Sequence, residues 1–223
     1  MSFSEFSPDP RLLLHSSPPD ALHSITPRTI MGYDWWIAQR QAAVVKQNQR
    51  CYTCGIHESK FNFSLEAHEH YDINYSNGRV KLVKVVALCH YCHDYIHDGR
   101  VYSQVKRNNS NSQRDPRSLD SYYREVLDRG EKIIADFLKT EPSILNRELF
   151  QGWKKPYEKT PPLWELYPLL VIPGVPMYEK HSYIRHPRWS DWHLVIEGQS
   201  PVYSPYQNRG EWIESRKQTR RPR

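Results

Sequence analysis

The chain has 223 residues, a formal net charge of +6 and a sequence pI of about 9.1. That length suits one domain with attachments or two small ones, and the basic balance favours a polyanionic partner, nucleic acid first. Hydrophobic residues make up 38% and prolines number 17, which excludes one large well-buried globule. No apolar run approaches the roughly 20 residues that span a bilayer. Met1 to Asp20 is polar and proline-broken, without the apolar segment of a secretory leader, so a cytoplasmic protein with no membrane partner is expected.

Residues 1–27 read as an extended arm, because Pro8, Pro10, Pro18, Pro19 and Pro27 interrupt any periodic structure. Leu12, Leu13 and Leu14 could dock on the body or on a partner. Residues 28–103 read as a metal-bearing domain. A helix is expected from Tyr33 to about Asn48, packing through Trp36, Ile37, Ala43 and Val44. A strand is expected near Phe61 to Tyr71 and a second from Arg79 to Leu88, rich in valine. Asn77-Gly78 between them suits a hairpin turn. Lys81 and Lys84 on the second strand face either phosphate or solvent. A short helix over Cys92 to Asp98 should stop near Gly99.

Residues 104–117 read as a polar linker in which Arg107 and Arg114 are candidates to grip a nucleic-acid backbone. Residues 118–140 give the clearest helix. Leu119, Tyr122, Tyr123, Val126, Leu127, Ile133, Ile134, Phe137 and Leu138 recur every three or four positions, as core or as a homodimer seam. Gly130 lies on that stripe, where it would permit close helix contact. Residues 141–223 form an irregular extension: Trp153 to Trp212 holds five of the seven tryptophans and nine prolines, and segments such as Pro161-Pro162-Leu163-Trp164 and Ile172-Pro173-Gly174-Val175-Pro176 cannot be long helices. Trp192 to Gly198 reads as a strand. Arg185, Arg188 and Trp189 either stack on unpaired bases or wrap over the body. The tail from Arg216 to Arg223 carries five positive charges and no acid, for phosphate binding or for solubility.

All four cysteines fall between Cys51 and Cys92, as two Cys-x-x-Cys knuckles, and six of the eleven histidines lie from His57 to His97. Each knuckle aims two thiolates at one point, and the pair closes a tetrahedron. Structural zinc at Cys51, Cys54, Cys89 and Cys92 is therefore expected; disulfide or redox pairs are the competing reading, and a reducing compartment favours metal. Four thiolates fill a closed site, which leaves His68, His70, His93 and His97 over. His93 and His97 are spaced to leave one face of a helix, and His68 ends a β-type run. A strand, its hairpin partner and a helix meeting on a second cation make a ββα unit. Solvated histidines, or zinc held by Cys89, Cys92, His93 and His97 alone, are the other readings.

The order Cys-x-x-Cys, Leu65-Glu66-Ala67-His68, then Leu88-Cys89-x-x-Cys92-His93-x-x-x-His97 resembles the HNH (His-Me finger) endonuclease family over Cys51 to about Arg100. Pro27 to Trp36 also resembles the lead-in of some bacterial and phage members. The resemblance implies an α+β fold: a zinc-stabilised ββα-metal core with flanking helices and an irregular Pro/Trp-rich C-terminal extension. It implies structural Zn²⁺ on the cysteines and a catalytic Mg²⁺, Mn²⁺ or similar ion held by His68, His93 and His97. Many members carry a histidine base directly after the first ligand; here Glu69 stands there, followed by His70. The base is thus Glu69, His70 or absent. The family's asparagine has no counterpart from Arg79 to Leu88. The expected function is metal-dependent hydrolysis of DNA phosphodiester bonds. The alternative is a non-catalytic zinc module with a degenerate site that binds nucleic acid or protein.

Overall fold

In a computed structural model the described residues are 6–14, 18–74, 77–97, 101, 116–139 and 187–219. They form a mixed α+β structure with five α-helices, a few 3₁₀ turns and one four-stranded sheet. The helices are α1 (Pro27–Met31), α2 (Tyr33–Lys46), α3 (His90–Ile96), α4 (Pro116–Leu138) and α5 (Arg209–Thr219). The strands are β1 (Glu66–Asn74), β2 (Arg79–Leu88), β3 (His193–Val195) and β4 (Val202–Tyr203), in the order β1-β2-β3-β4. The described residues fall into two compact units.

The first unit holds residues 6–14, 40–68, 86–97, 101 and 116–139. Its core gathers Leu12, Leu13 and Leu14 with Leu65, Val86, Leu88, Tyr95, Val126 and Ile134. The stretch expected as an extended arm instead coils, with a 3₁₀ turn at Pro10–Leu14, and its three leucines are 0–3% exposed. The gain from covering three leucines outweighs the prolines' resistance to regular structure. Asp9 anchors the turn: its carboxylate accepts from Arg11 Nε at 2.6 Å and from the Tyr52 hydroxyl at 3.2 Å.

The stripe on α4 packs inward through Val126, Leu127 and Ile134, so it supplies core. A Cβ at Gly130 would stand 2.1 Å from the Tyr95 ring of α3, so the missing side chain sets how closely these helices approach. Gln47, 4% exposed, ties the end of α2 to β2. Its amide donates to the Ala87 carbonyl at 2.9 Å and accepts from the Ala87 N–H at 2.9 Å.

The second unit holds residues 18–39, 69–74, 77–85 and 187–219. β3 joins β2 in parallel, pairing Val80 with Leu194, and β4 returns antiparallel to β3. Gly78, at φ +72°, brings its backbone against Asp191, where a Cβ would lie 2.8 Å from the Asp191 carbonyl. The Gly78 carbonyl accepts the His193 N–H at 2.9 Å. Val80, Trp192, Leu194, Ile196 and Trp212 form the apolar interior, with Ser204 donating to the Ala21 carbonyl at 2.7 Å.

Several boundaries differ from the sequence reading. Phe61 to Phe63 bend rather than extend, and β1 starts only at Glu66 and runs to Asn74. α3 begins at His90, two residues earlier than expected, and the C-terminal strand contracts to His193–Val195. Arg216 and Lys217, the start of the basic tail, lie on α5. The linker with Arg107 and Arg114 and the proline-rich stretch up to 186 lie outside the described residues, as do 220–223.

Candidate metal centre

The first knuckle is a turn at Tyr52–Cys54 closed by a Gly55 N–H to Cys51 carbonyl bond of 2.9 Å. Gly55 takes φ +73°, and Pro8 of the N-terminal segment leaves no space for a side chain there. The Tyr52 N–H bonds the Ala87 carbonyl at 2.9 Å, which fixes the turn beside the end of β2. The second knuckle is the N-terminus of α3. Cys89 is its N-cap, in extended conformation, and makes no capping side-chain bond. The thiol is turned to its fellow cysteines instead.

One sulfur from each of Cys51, Cys54, Cys89 and Cys92 lies within 4.8 Å of the others. The Cys54–Cys89 sulfur separation is 3.9 Å. Four sulfurs about 2.3 Å from one zinc stand about 3.8 Å apart in a tetrahedron, so the set fits a four-thiolate site. Three of the four residues are buried and Cys54 is half-buried. Burial opposes ionisation of Cys51, yet hydrogen bonds from Cys54, Cys89 and Cys92 hold it well below the ordinary thiol range. The same contacts with Cys51 and Cys54 push Cys89 and Cys92 upward. Cys54 is lowered as well, so two of the four sulfurs are held toward the thiolate and two toward the thiol, a charge conflict that a central divalent cation would remove.

A second cluster lies in the same unit. His68 from β1 and His93 from α3 are 7% and 8% exposed, and His97 caps the C-terminus of α3 and is exposed. Ring nitrogens of the three lie within 4.8 Å of one another. His97 Nε2 is 3.3 Å from His68 Nδ1, a spacing that suits two imidazoles about 2.1 Å from one ion. The rings meet edge to face, at centroid distances of 4.8 to 5.4 Å. The His97 N–H bonds the His93 carbonyl at 3.0 Å, one helical turn that brings both side chains to one face.

Glu66, absent from the residues that the sequence points to, places its Oε2 2.5 Å from His93 Nδ1. The carboxylate sits off the ring's N–H direction, so this is a close charge contact rather than an aligned hydrogen bond. A signal for it existed: Glu66 and His68 are two apart in a strand and share a face. Gln47 carried no comparable signal, because its role depends on the end of α2 meeting β2.

The histidine cluster brings together His68, His93 and His97, while Glu69 and His70, further along β1, are half-buried members of the second unit. Lys81 and Lys84 lie exposed on β2, also in the second unit. No helix among the described residues is long and apolar enough to cross a membrane. No protein-family model matches the chain, and neither a curated protein nor a solved structure matches it significantly.

Proposed function

We propose that the chain is a metal-dependent endonuclease of the HNH type that hydrolyses phosphodiester bonds in DNA. The observation that carries this reading is the second cluster: three imidazoles, one from a strand and two from a helix, converging beside a four-cysteine set. A closed cysteine site serves structure, whereas an ion held by three ligands keeps an open position. His97, the exposed member, leaves the triad accessible.

His68, His93 and His97 would hold a divalent ion, which would supply Lewis-acid stabilisation of the negative charge that develops during phosphodiester hydrolysis. The chain's own groups do the rest. Glu66 beside Nδ1 of His93 favours the proton on that nitrogen and leaves Nε2 as the lone pair. The base that would take a proton from the attacking water has its sequence candidates next to His68, at Glu69 and His70. The basic chain draws the polyanion in. A non-catalytic zinc module is the second reading; it rests on Glu69 standing where many family members carry a histidine base.

Supercoiled plasmid incubated with Mg²⁺ or Mn²⁺ tests the proposal. The parent should nick it, and His68→Ala and His93→Ala should each cut at least about 100-fold more slowly. Zinc content and far-UV circular dichroism should not change. Cleavage by His68→Ala at the parent's rate would sink the assignment, and retention of DNA without cutting, across several metals, would favour the binding module.

A further inference from the structure

Beside the histidine triad, in the same unit, lies a cleft of about 840 Å³ whose lining includes Phe61, Phe63, Glu66, His90, Tyr122 and Arg129. Its wall is a set of ring faces. Phe61 and Phe63 meet the His90 ring edge-on at 5.7 and 5.5 Å, and Tyr122 lies nearly parallel to it, at 12° and 6.3 Å. The Tyr122 hydroxyl donates to Asp94 at 2.6 Å, which holds its ring in place. Phe63 is 66% exposed, a large apolar ring kept in water at the rim.

Charged groups flank these rings. The Arg129 guanidinium lies 4.0 Å over the Tyr91 ring and also pairs with Glu125 at 2.7 Å, while Lys60 borders the same cleft as the cation without that carboxylate. Polar atoms sit among the aromatic faces: His90 Nδ1 is buried and has no hydrogen-bond partner among the described residues. Glu66 belongs to both places, since it lines the cleft and stands 2.5 Å from His93 Nδ1.

We propose that this cleft receives an unpaired base of the strand whose phosphate lies at the triad, so that the substrate is single-stranded or locally opened nucleic acid. Flat ring faces stack on any base, and adjacent cations follow the backbone. Bases inside an intact duplex cannot enter such a slot without leaving the stack. One shared side chain between slot and triad matches the short reach from a base to its own phosphate. An apolar peptide would use the rings, but not the charge around them. The inference rests on the nuclease reading for the phosphate and on the cleft for the base.

The test uses the full zinc-loaded chain without added Mg²⁺ or Mn²⁺, and fluorescence anisotropy of labelled oligothymidine. An oligonucleotide of equal length made of abasic sites and a duplex serve as competitors. Oligothymidine should bind roughly tenfold more tightly than the abasic strand and also more tightly than the duplex. Phe63→Ala should lose roughly that tenfold while binding the abasic strand as the parent does. Phe63 is at the surface, so zinc content and melting should hold; Arg129→Ala is the second variant, and should weaken both strands. Equal binding of base-bearing and abasic strands, an unaffected Phe63→Ala, or no binding at all overturns the slot. A cleft filled by a protein segment would also leave Phe63→Ala unaffected. His93→Ala separates the two ideas. Normal oligothymidine binding with lost cleavage supports both, undiminished cleavage sinks the nuclease site alone, and lost cleavage without base preference sinks the slot alone.

Discussion

One short helix feeds two clusters of different character. Cys92 and His93 are neighbours on α3, yet the thiol turns toward Cys51, Cys54 and Cys89 while the imidazole turns toward His68 and His97. Successive helical residues point about 100° apart, so one turn serves two centres. The cysteine cluster is closed: Cys51, Cys89 and Cys92 are 0–2% exposed, and they sit within the main core. The histidine cluster is graded, from two buried rings to an exposed His97. A closed set of this kind suits an ion whose only work is to hold the fold around it. Under the proposed function, a set open on one side would also meet a substrate, with the adjoining Glu66 to tune it.

Breaking the cysteine cluster should have the largest effect. Cys51→Ser should lose the bound metal and the cooperative melting of the first unit, because binding energy at a structural zinc site is folding energy. Zinc quantification and calorimetry would check this. A variant that melts like the parent without zinc would remove the structural role assigned to the sulfurs.

The histidine cluster should respond separately. Glu66→Gln should weaken divalent-ion affinity at the triad about 10- to 100-fold, as loss of a neighbouring carboxylate does elsewhere. Titration of the zinc-loaded chain with Mn²⁺ would measure it, with stoichiometric zinc and unchanged melting as controls. If Glu66→Gln also released the zinc, the two centres would not be independent.

Gly130→Ala should have the smallest effect and act on α3 from behind. The new Cβ meets the buried Tyr95 ring, and overpacking of this kind costs about 1–3 kcal/mol. Chemical denaturation would read the loss. Ion affinity at the triad should fall as well if α3 shifts, and stay constant if α4 yields instead.

The sequence by itself determined the chemistry of the clusters. Two Cys-x-x-Cys turns and a His-x-x-x-His spacing are local patterns, and local geometry aims their side chains whatever the rest of the chain does. β2 was legible too, because its valines and the Asn77-Gly78 turn act within a few residues. The periodic stripe of α4 marked a helix, but not whether it faced its own core or a second chain.

Only the tertiary structure decided the rest. The burial of Leu12 to Leu14, the clamp of Gln47 on Ala87 and the contact of Gly130 with Tyr95 join residues far apart in the chain. No short-range pattern encodes such contacts, since each exists only once two elements have packed. The pairing of Glu66 with His93 is of the same kind: strand alternation puts the carboxylate beside His68, but a folded α3 is needed to bring His93 to it.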